Sequence, residues 1–387
     1  MGYEHINIEL SQLAKHEGSP CGDYFLRKKT ALHTTIILGD GKGHGIKAHI
    51  AATMYVTYLM KLLDEGYSLR YAFTKLIEIV QVAAMKELPY AVFSVARILN
   101  DGVTTILTYE MPAPVLISKK AKILTQRKVV EGNAIFNETN CYLQLGEGVL
   151  LMSDGVTQAG IGRGYNYGWG SENLCEYINE YLSENSTQDL FDLLPILPEK
   201  IQNKVTKICN GNRDDDVSVL VAYAKSGIVT TVFTGPPTNK QDDQRYIRDF
   251  LMSSGRKVIC GGSTAGMISK ATGRNLEVSM ASPSPYTPPS YKLEGVDLAV
   301  EGAVTLNQLY NIIDADRIFM DSNNPVTQLY DILMTSDKII FYLGSVNAAA
   351  ESDISFIQRG IKTRRQIVPL IAEKLQELGK IVTIEYI

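Results

Sequence analysis

Aspartates beside glycine, each at the edge of an apolar run, are the residues of this chain whose types and spacing could do chemistry. Asp23 sits in Cys21-Gly22-Asp23-Tyr24, and Asp40 in Leu38-Gly39-Asp40-Gly41-Lys42-Gly43-His44-Gly45. Asp154 ends a strand-like run in Met152-Ser153-Asp154-Gly155, and Asp214, Asp215 and Asp216 precede Val217-Ser218-Val219-Leu220. Glycine permits a sharp turn and lets backbone carbonyls approach a ligand. Carboxylate oxygen, carbonyl oxygen and water are what a hard divalent cation selects. Two bare carboxylates about 4 Å apart repel by about 4 kcal/mol at an effective dielectric of about 20. If these turns converge, bound Mg²⁺ or Mn²⁺ is expected among them. Each Asp-Gly alone is an ordinary turn pair, so the set carries the reading. The run Gly39–Gly45 also lacks the Lys-Ser/Thr ending of a phosphate-binding P-loop.

Such turns need elements to hold them. Thr34–Leu38 reads as a strand, and Ala48, Ala51, Ala52, Tyr55, Val56, Leu59 and Leu62 follow helical spacing from Lys47. Ser68 is placed to cap a second helix running to Ala83. Ala91–Leu99 and Val103–Tyr109 read as strands joined by the turn Asn100-Asp101-Gly102. A strand at Val149–Met152, helices at Glu172–Leu182 and Thr187–Val205, and a strand at Val217–Tyr223 follow. Strands, two helices and strands again predict an α+β layered sandwich. The chain, at 387 residues, suits two domains, and the seam Lys225-Ser226-Gly227 divides it into 1–226 and 227–387.

The second part alternates. Strand Val229–Phe233, helix Asp242–Ser253, strand Lys257–Cys260, a glycine turn into a helix, strand Lys338–Leu343, a helix beginning near Pro369 and strand Ile381–Tyr386 predict an α/β domain with a mainly parallel sheet. Gly261, Gly262, Ser263 and Thr264 stand at a helix start, either as an anion site or as a close-packed turn. Asp297, Glu301 and Gly302 form a second acidic turn, and Ser282–Ser290 reads as an ordered loop or flap.

Composition narrows the classes. Hydrophobic residues make up 45% and charged residues 21%, which excludes disorder. No apolar run reaches the roughly 18 residues of a membrane span. Glu4 and Glu9 make Met1–Leu10 unlike a secretory signal. Lys and Arg number 38 against 42 Asp and Glu, so no broad field favours nucleic acid or an anionic membrane. The five cysteines are odd in number and form no CxxC pair, which fits reduced thiols in a cytoplasm.

The ordered succession Gly22-Asp23, Gly39-Asp40-Gly41-Lys42-Gly43-His44-Gly45 with Ala48, Ser153-Asp154-Gly155-Val156 and Asp215-Asp216-Val217-Ser218 resembles the SpoIIE-type branch of the metal-dependent protein phosphatases (PPM, type 2C), over about residues 1–225. The resemblance implies two antiparallel sheets flanked by helices (α-β-β-α) and a binuclear Mn²⁺/Mg²⁺ centre. It implies that Asp40 bridges both metals, that the Gly41 carbonyl and Asp23 serve one of them, and that Asp154 and Asp215 hold the other. The implied reaction, in a bacterial cytoplasm, is hydrolysis of phosphoserine or phosphothreonine on a protein by a metal-activated water, with Asp40 and Asp154 catalytic through it. His44 is read either as general acid for the leaving oxygen or as the residue starting the helix after the glycine turn. Lys42 stands either on substrate phosphate or in solvent. The family's Ala-Gly-His-Pro stretch is replaced by Tyr109-Glu110-Met111-Pro112-Ala113-Pro114, and Gly146-Glu147-Gly148 stands where Gly-Asp is usual. Two rival readings fit the same residues: a catalytically weak signalling or binding module of phosphatase fold regulated through the C-terminal domain, and a phosphatase of a small phosphorylated metabolite. Residues 227–387 are expected to sense a small-molecule effector or to dock the phosphoprotein.

Overall fold

Strand Gly148–Met152 is buried at every position because it is covered on both faces. Side chains alternate across a strand. Val149 and Leu151 join one core, while Leu150 and Met152 join another. Val217–Ser226 divides in the same way, with Leu220, Ala222 and Ala224 on one side and Val217, Val219, Val221 and Tyr223 on the other. Double coverage explains why both strands read as continuous apolar runs.

The computed structural model describes residues 3–279, 288–344, 358 and 360–387. They form two compact units, one of Glu4–Lys28 with Leu32–Ser226 and the other of Tyr3, Lys29–Ala31 and the described residues from Gly227 onward. In the first, a six-stranded sheet runs in the order Asp23–Lys29, His33–Gly41, Ala91–Leu99, Val103–Tyr109, Ala134–Tyr142, Arg127–Glu131. A five-stranded sheet runs Glu4–Leu13, Val217–Ser226, Gly148–Met152, Val115–Ile117, Ala121–Ile123, with antiparallel pairings throughout. Helices Ile46–Asp64 and Leu69–Met85 share a core with the six-stranded sheet, and Gly170–Glu184 and Leu197–Ile208 pack on the outer face of the five-stranded one. This is the expected α+β sandwich of two antiparallel sheets flanked by helices.

Local chemistry sets several boundaries. The Ser68 side chain accepts a hydrogen bond from Tyr71 N at 3.3 Å and starts the second helix. The helix expected over Thr187–Val205 is instead broken into Leu190–Leu193, a tighter turn Leu194–Ile196, and Leu197–Ile208. Pro195 and Pro198 have no N–H to donate, and each fits a first turn rather than an interior.

The second unit holds a seven-stranded sheet in the order Leu276–Ser279, Ser290–Leu293, Leu298–Val300, Arg256–Cys260, Val229–Thr234, Lys338–Leu343, Ile381–Tyr386. The last five are parallel and the first two join antiparallel, giving the mainly parallel α/β sheet expected. Its two faces carry separate cores, with Val232, Val258 and Phe341 in one and Phe233, Ile259 and Ala299 in the other. The last helix runs Arg364–Glu377, so Pro369 lies inside it rather than at its start. A capping box between Thr363 and Gln366 moves the start one turn earlier. Residues 282–287 of the Ser- and Pro-rich stretch lie outside the described residues, and Ser290 opens a strand. Among the described residues no helix is long and apolar enough to cross a membrane.

Candidate active site

Strand His33–Gly41 delivers Asp40 at its end, where Asp40 pairs with Val92 and Gly41 with Ala91 of the neighbouring strand. The following helix crosses so close that a Cβ on Gly41 would stand 2.1 Å from the Ala48 carbonyl oxygen. Gly41 N donates to Gly22 O at 3.3 Å, which lays the turn before Asp23 on the turn around Asp40. A Cβ on Gly22 would be 2.6 Å from Asp216 Oδ2, so glycine is needed there as well. Asp23, 3% exposed, opens the strand Asp23–Lys29.

The other two turns are fastened from the five-stranded sheet. Ser218 Oγ donates to Asp23 Oδ2 at 2.6 Å, and Ser218 N donates to Ser153 Oγ at 2.9 Å. Asp154 does not end a strand: it is the first residue of the short helix Asp154–Thr157, and its Oδ2 accepts from Gln158 Nε2 at 2.7 Å. Asp215 Oδ1 accepts from Asp216 N at 2.9 Å. The buried Asp216 carboxylate accepts from Lys15 N at 2.8 Å and Gly22 N at 3.0 Å, clamping the first turn to the last. Asp216, Ser153, Ser218 and Gln158 were not singled out for these roles by sequence reasoning. The only local signal is that each lies within four residues of a candidate acid.

Burial and mutual charge act on these acids. Burial pushes the Asp40 carboxyl well above the usual carboxylate range, and the charges of Asp23, Asp154 and Asp215 push it further. Asp154 is also within hydrogen-bonding reach of Asp40. Burial raises Asp23 too, against the hydrogen bonds from Ser218 and Ser153, which favour its charged form. Asp215 is raised chiefly by burial. Like charges close together in a dry site cannot all ionise. A divalent cation is one remedy, and carboxylates with a carbonyl at Gly41 are the oxygen donors it takes. By donor chemistry and charge the residues fit. Yet no three His, Cys, Asp or Glu side chains among the described residues are grouped as a bound ion would need. Asp23, Asp154 and Asp215 each engage a donor at the margin of the cluster instead.

The remaining candidates lie elsewhere. His44 does not start the helix, which begins at Ile46 behind Gly45. It is exposed in the glycine turn, its ring edge-on to His16 at 5.4 Å. Lys42 is exposed, and its N donates to Tyr90 O at 2.8 Å. In the second unit Gly261 precedes helix Gly262–Thr272. The buried Thr264 hydroxyl accepts from Gly235 N at 3.1 Å, so part of this turn is close-packed. A Cβ on Gly261 would be 3.5 Å from Arg364 Nη2. Glu301 Oε2 accepts from Val304 N at 3.1 Å and caps its own helix.

Residues 31–225, half of the chain, match the family described as stage II sporulation protein E (SpoIIE), and the chain belongs to that family. Among solved structures it is similar to the PP2C phosphatase domain with a fragment of the regulatory domain of SpoIIE from Bacillus subtilis. That likeness has 16% identity and a TM-score of 0.49, and covers 58% of this chain and 64% of that one. It is also similar to the RsbU and RsbW domains of Rv1364c from Mycobacterium tuberculosis, at 17% identity and a TM-score of 0.48, over 65% of this chain and 68% of that one. A third likeness is to RsbX in complex with magnesium, at 15% identity and a TM-score of 0.40, over 57% of this chain and 96% of that one. No curated protein matches the chain.

Proposed function

We propose that this chain is a bacterial, cytoplasmic phosphatase that hydrolyses phosphoserine or phosphothreonine on a protein, with Mn²⁺ or Mg²⁺ held by Asp23, Asp40, Asp154, Asp215 and the Gly41 carbonyl. The observation that carries the reading is the gathering of Asp23, Asp154 and Asp215 around Asp40. A pair of such ions, when bound, supplies Lewis-acid stabilisation of phosphoryl charge and lowers the pKa of a coordinated water. The chain's own residues do the positioning. Ser218 and Ser153 orient Asp23, Gln158 orients Asp154, and Asp216 locks the first and last turns together. His44, four residues beyond Asp40 and exposed, is assigned the proton for the leaving oxygen. Residues 1–226 carry the hydrolysis, and 227–387 take a small anionic effector at Gly261, Gly262 and Ser263, with Thr264 bracing the turn from behind.

Hydrolysis of p-nitrophenyl phosphate and of phosphopeptides, with and without Mn²⁺, tests the reading. Asp40→Asn is expected to lower kcat by about 10³-fold or more at unchanged far-UV circular dichroism. Turnover that survives the substitution, or that ignores Mn²⁺ and chelator alike, overturns it.

A further inference from the structure

Beside the acids lies a cavity of about 290 Å³ that the proposed chemistry does not use. Asp215 and Gly155 line it, so it is continuous with the acid cluster. Its floor is Ala159, Cys209 and Val217, which are 3%, 2% and 1% exposed, and its rim is Ile161, 47% exposed, with the exposed Gln158 and Asp214 and the half-buried Arg213. A hollow with an apolar floor, a polar rim and an exposed isoleucine at its mouth is placed to receive an apolar side chain from outside.

The cavity is built rather than incidental. Its two walls, the segment around 158–161 and the segment 209–217, are stitched together by Arg163. That guanidinium donates from Nη1 to Cys209 O at 2.7 Å and to Asn212 O at 2.5 Å, and from Nη2 to Asp214 Oδ1 at 3.0 Å. Gly160 lets the walls close up, since a Cβ there would stand 2.6 Å from Ile208 Cγ2 and 2.9 Å from Tyr165 Cδ2. The first wall also reaches the cluster directly, through Gln158 Nε2 on Asp154 Oδ2 at 2.7 Å. A hollow pinned before any ligand arrives costs little ordering when filled.

We infer that this cavity is a specificity subsite, taking an apolar side chain of leucine or methionine size that lies within two residues of the phosphorylated serine or threonine of a protein substrate. The inference rests on the phosphatase reading for the placement of the phosphate. Arg163 is a positioning residue, tying the walls together at a fixed width without touching substrate. A phosphorylated metabolite has no neighbouring side chain to offer, so the subsite selects for protein.

The test uses the full chain and fluorescent peptides bearing a non-hydrolysable phosphonate in place of phosphoserine. Leucine, alanine or aspartate is placed at each of the two positions on either side. Fluorescence anisotropy is expected to show the best leucine peptide binding about 10- to 100-fold tighter than its alanine counterpart, as burial of one such side chain gives. Ile161→Trp, at a half-exposed position, fills the cavity and is expected to erase that difference while leaving p-nitrophenyl phosphate turnover unchanged. Equal binding of leucine and alanine peptides at all four positions overturns the subsite, with no variant required. So does a preference that survives Ile161→Trp. A chain that discriminates the peptides but hydrolyses nothing would retain the subsite and lose the phosphatase reading. A chain that hydrolyses without discrimination would do the reverse.

Discussion

Both units set charge against glycine turns at the ends of strands, but of opposite sign. In the first, Asp40 stands among three other carboxylates, and burial, with their charges added, makes it hold a proton more tightly. In the second, the Arg364 guanidinium is 5% exposed. The chain there makes room by omitting side chains. A Cβ would stand 2.8 Å from Arg364 Nη2 on Gly302 and 3.1 Å from Nη1 on Gly235. Gly41 in the first unit admits backbone to backbone, against Ala48, whereas Gly302 and Gly235 in the second admit a cation. A strand-end glycine therefore tells little about function until the atom that fills its missing Cβ is known.

The clamp of the first unit offers the largest perturbation. Asp216→Ala leaves Lys15 N and Gly22 N without their buried acceptor, and is expected to cost about 2–6 kcal/mol by urea denaturation. An unchanged midpoint would show that the first turn is held by other means. Ser218→Ala is next. It removes the 2.6 Å donor to Asp23, and an expected 10- to 100-fold weaker Mn²⁺ affinity by calorimetry would match the loss of an orienting partner. In the second unit Gly302→Ala is expected to destabilise by about 1–3 kcal/mol, because its methyl meets Arg364. Gly266→Ala in helix Gly262–Thr272 meets nothing within 4 Å and is expected to stabilise by about 0.4–1 kcal/mol. Thermal unfolding that moves both in one direction would erase the distinction between filled and open glycines.

The smallest effect concerns a carboxylate that is satisfied, unlike those around Asp40. Glu138 accepts from Arg70 Nε at 2.7 Å and Nη2 at 2.8 Å, and these bonds hold its pKa below the usual value. A depressed folded pKa stabilises above the unfolded pKa and is lost as pH falls through the folded one. Arg70→Met should therefore flatten part of the decline in stability below about pH 4.3, the ordinary Glu value. Parallel acid-unfolding curves for the two proteins would refute it.

Much of this was legible because it is local. The strands Ala91–Leu99 and Val103–Tyr109 flank a turn whose Gly102 takes φ 90°, and all three were readable from a dozen neighbouring residues. The Ser68 cap and the acids Asp40, Asp154 and Asp215 were readable for the same reason. What stayed hidden is long-range. Glu4–Leu13 pairs in register with Val217–Ser226, more than two hundred residues away, and only that pairing identifies it as a strand. The bonds of Ser218 to Asp23 and of Asp216 to Gly22 span 195 and 194 residues. Pro369 misled because a proline usually opens a helix, and here the Thr363–Gln366 box had already opened it one turn earlier.

The clamp between Gly22 and Asp216 also sets a timetable. During synthesis the glycine turns that carry Asp23 and Asp40 leave the ribosome long before the strand that must fasten them. A nascent chain stalled short of Asp215 carries Asp23 and Asp40 but neither Asp215 nor Asp216, so any hydrolytic competence waits for translation to pass the end of that strand.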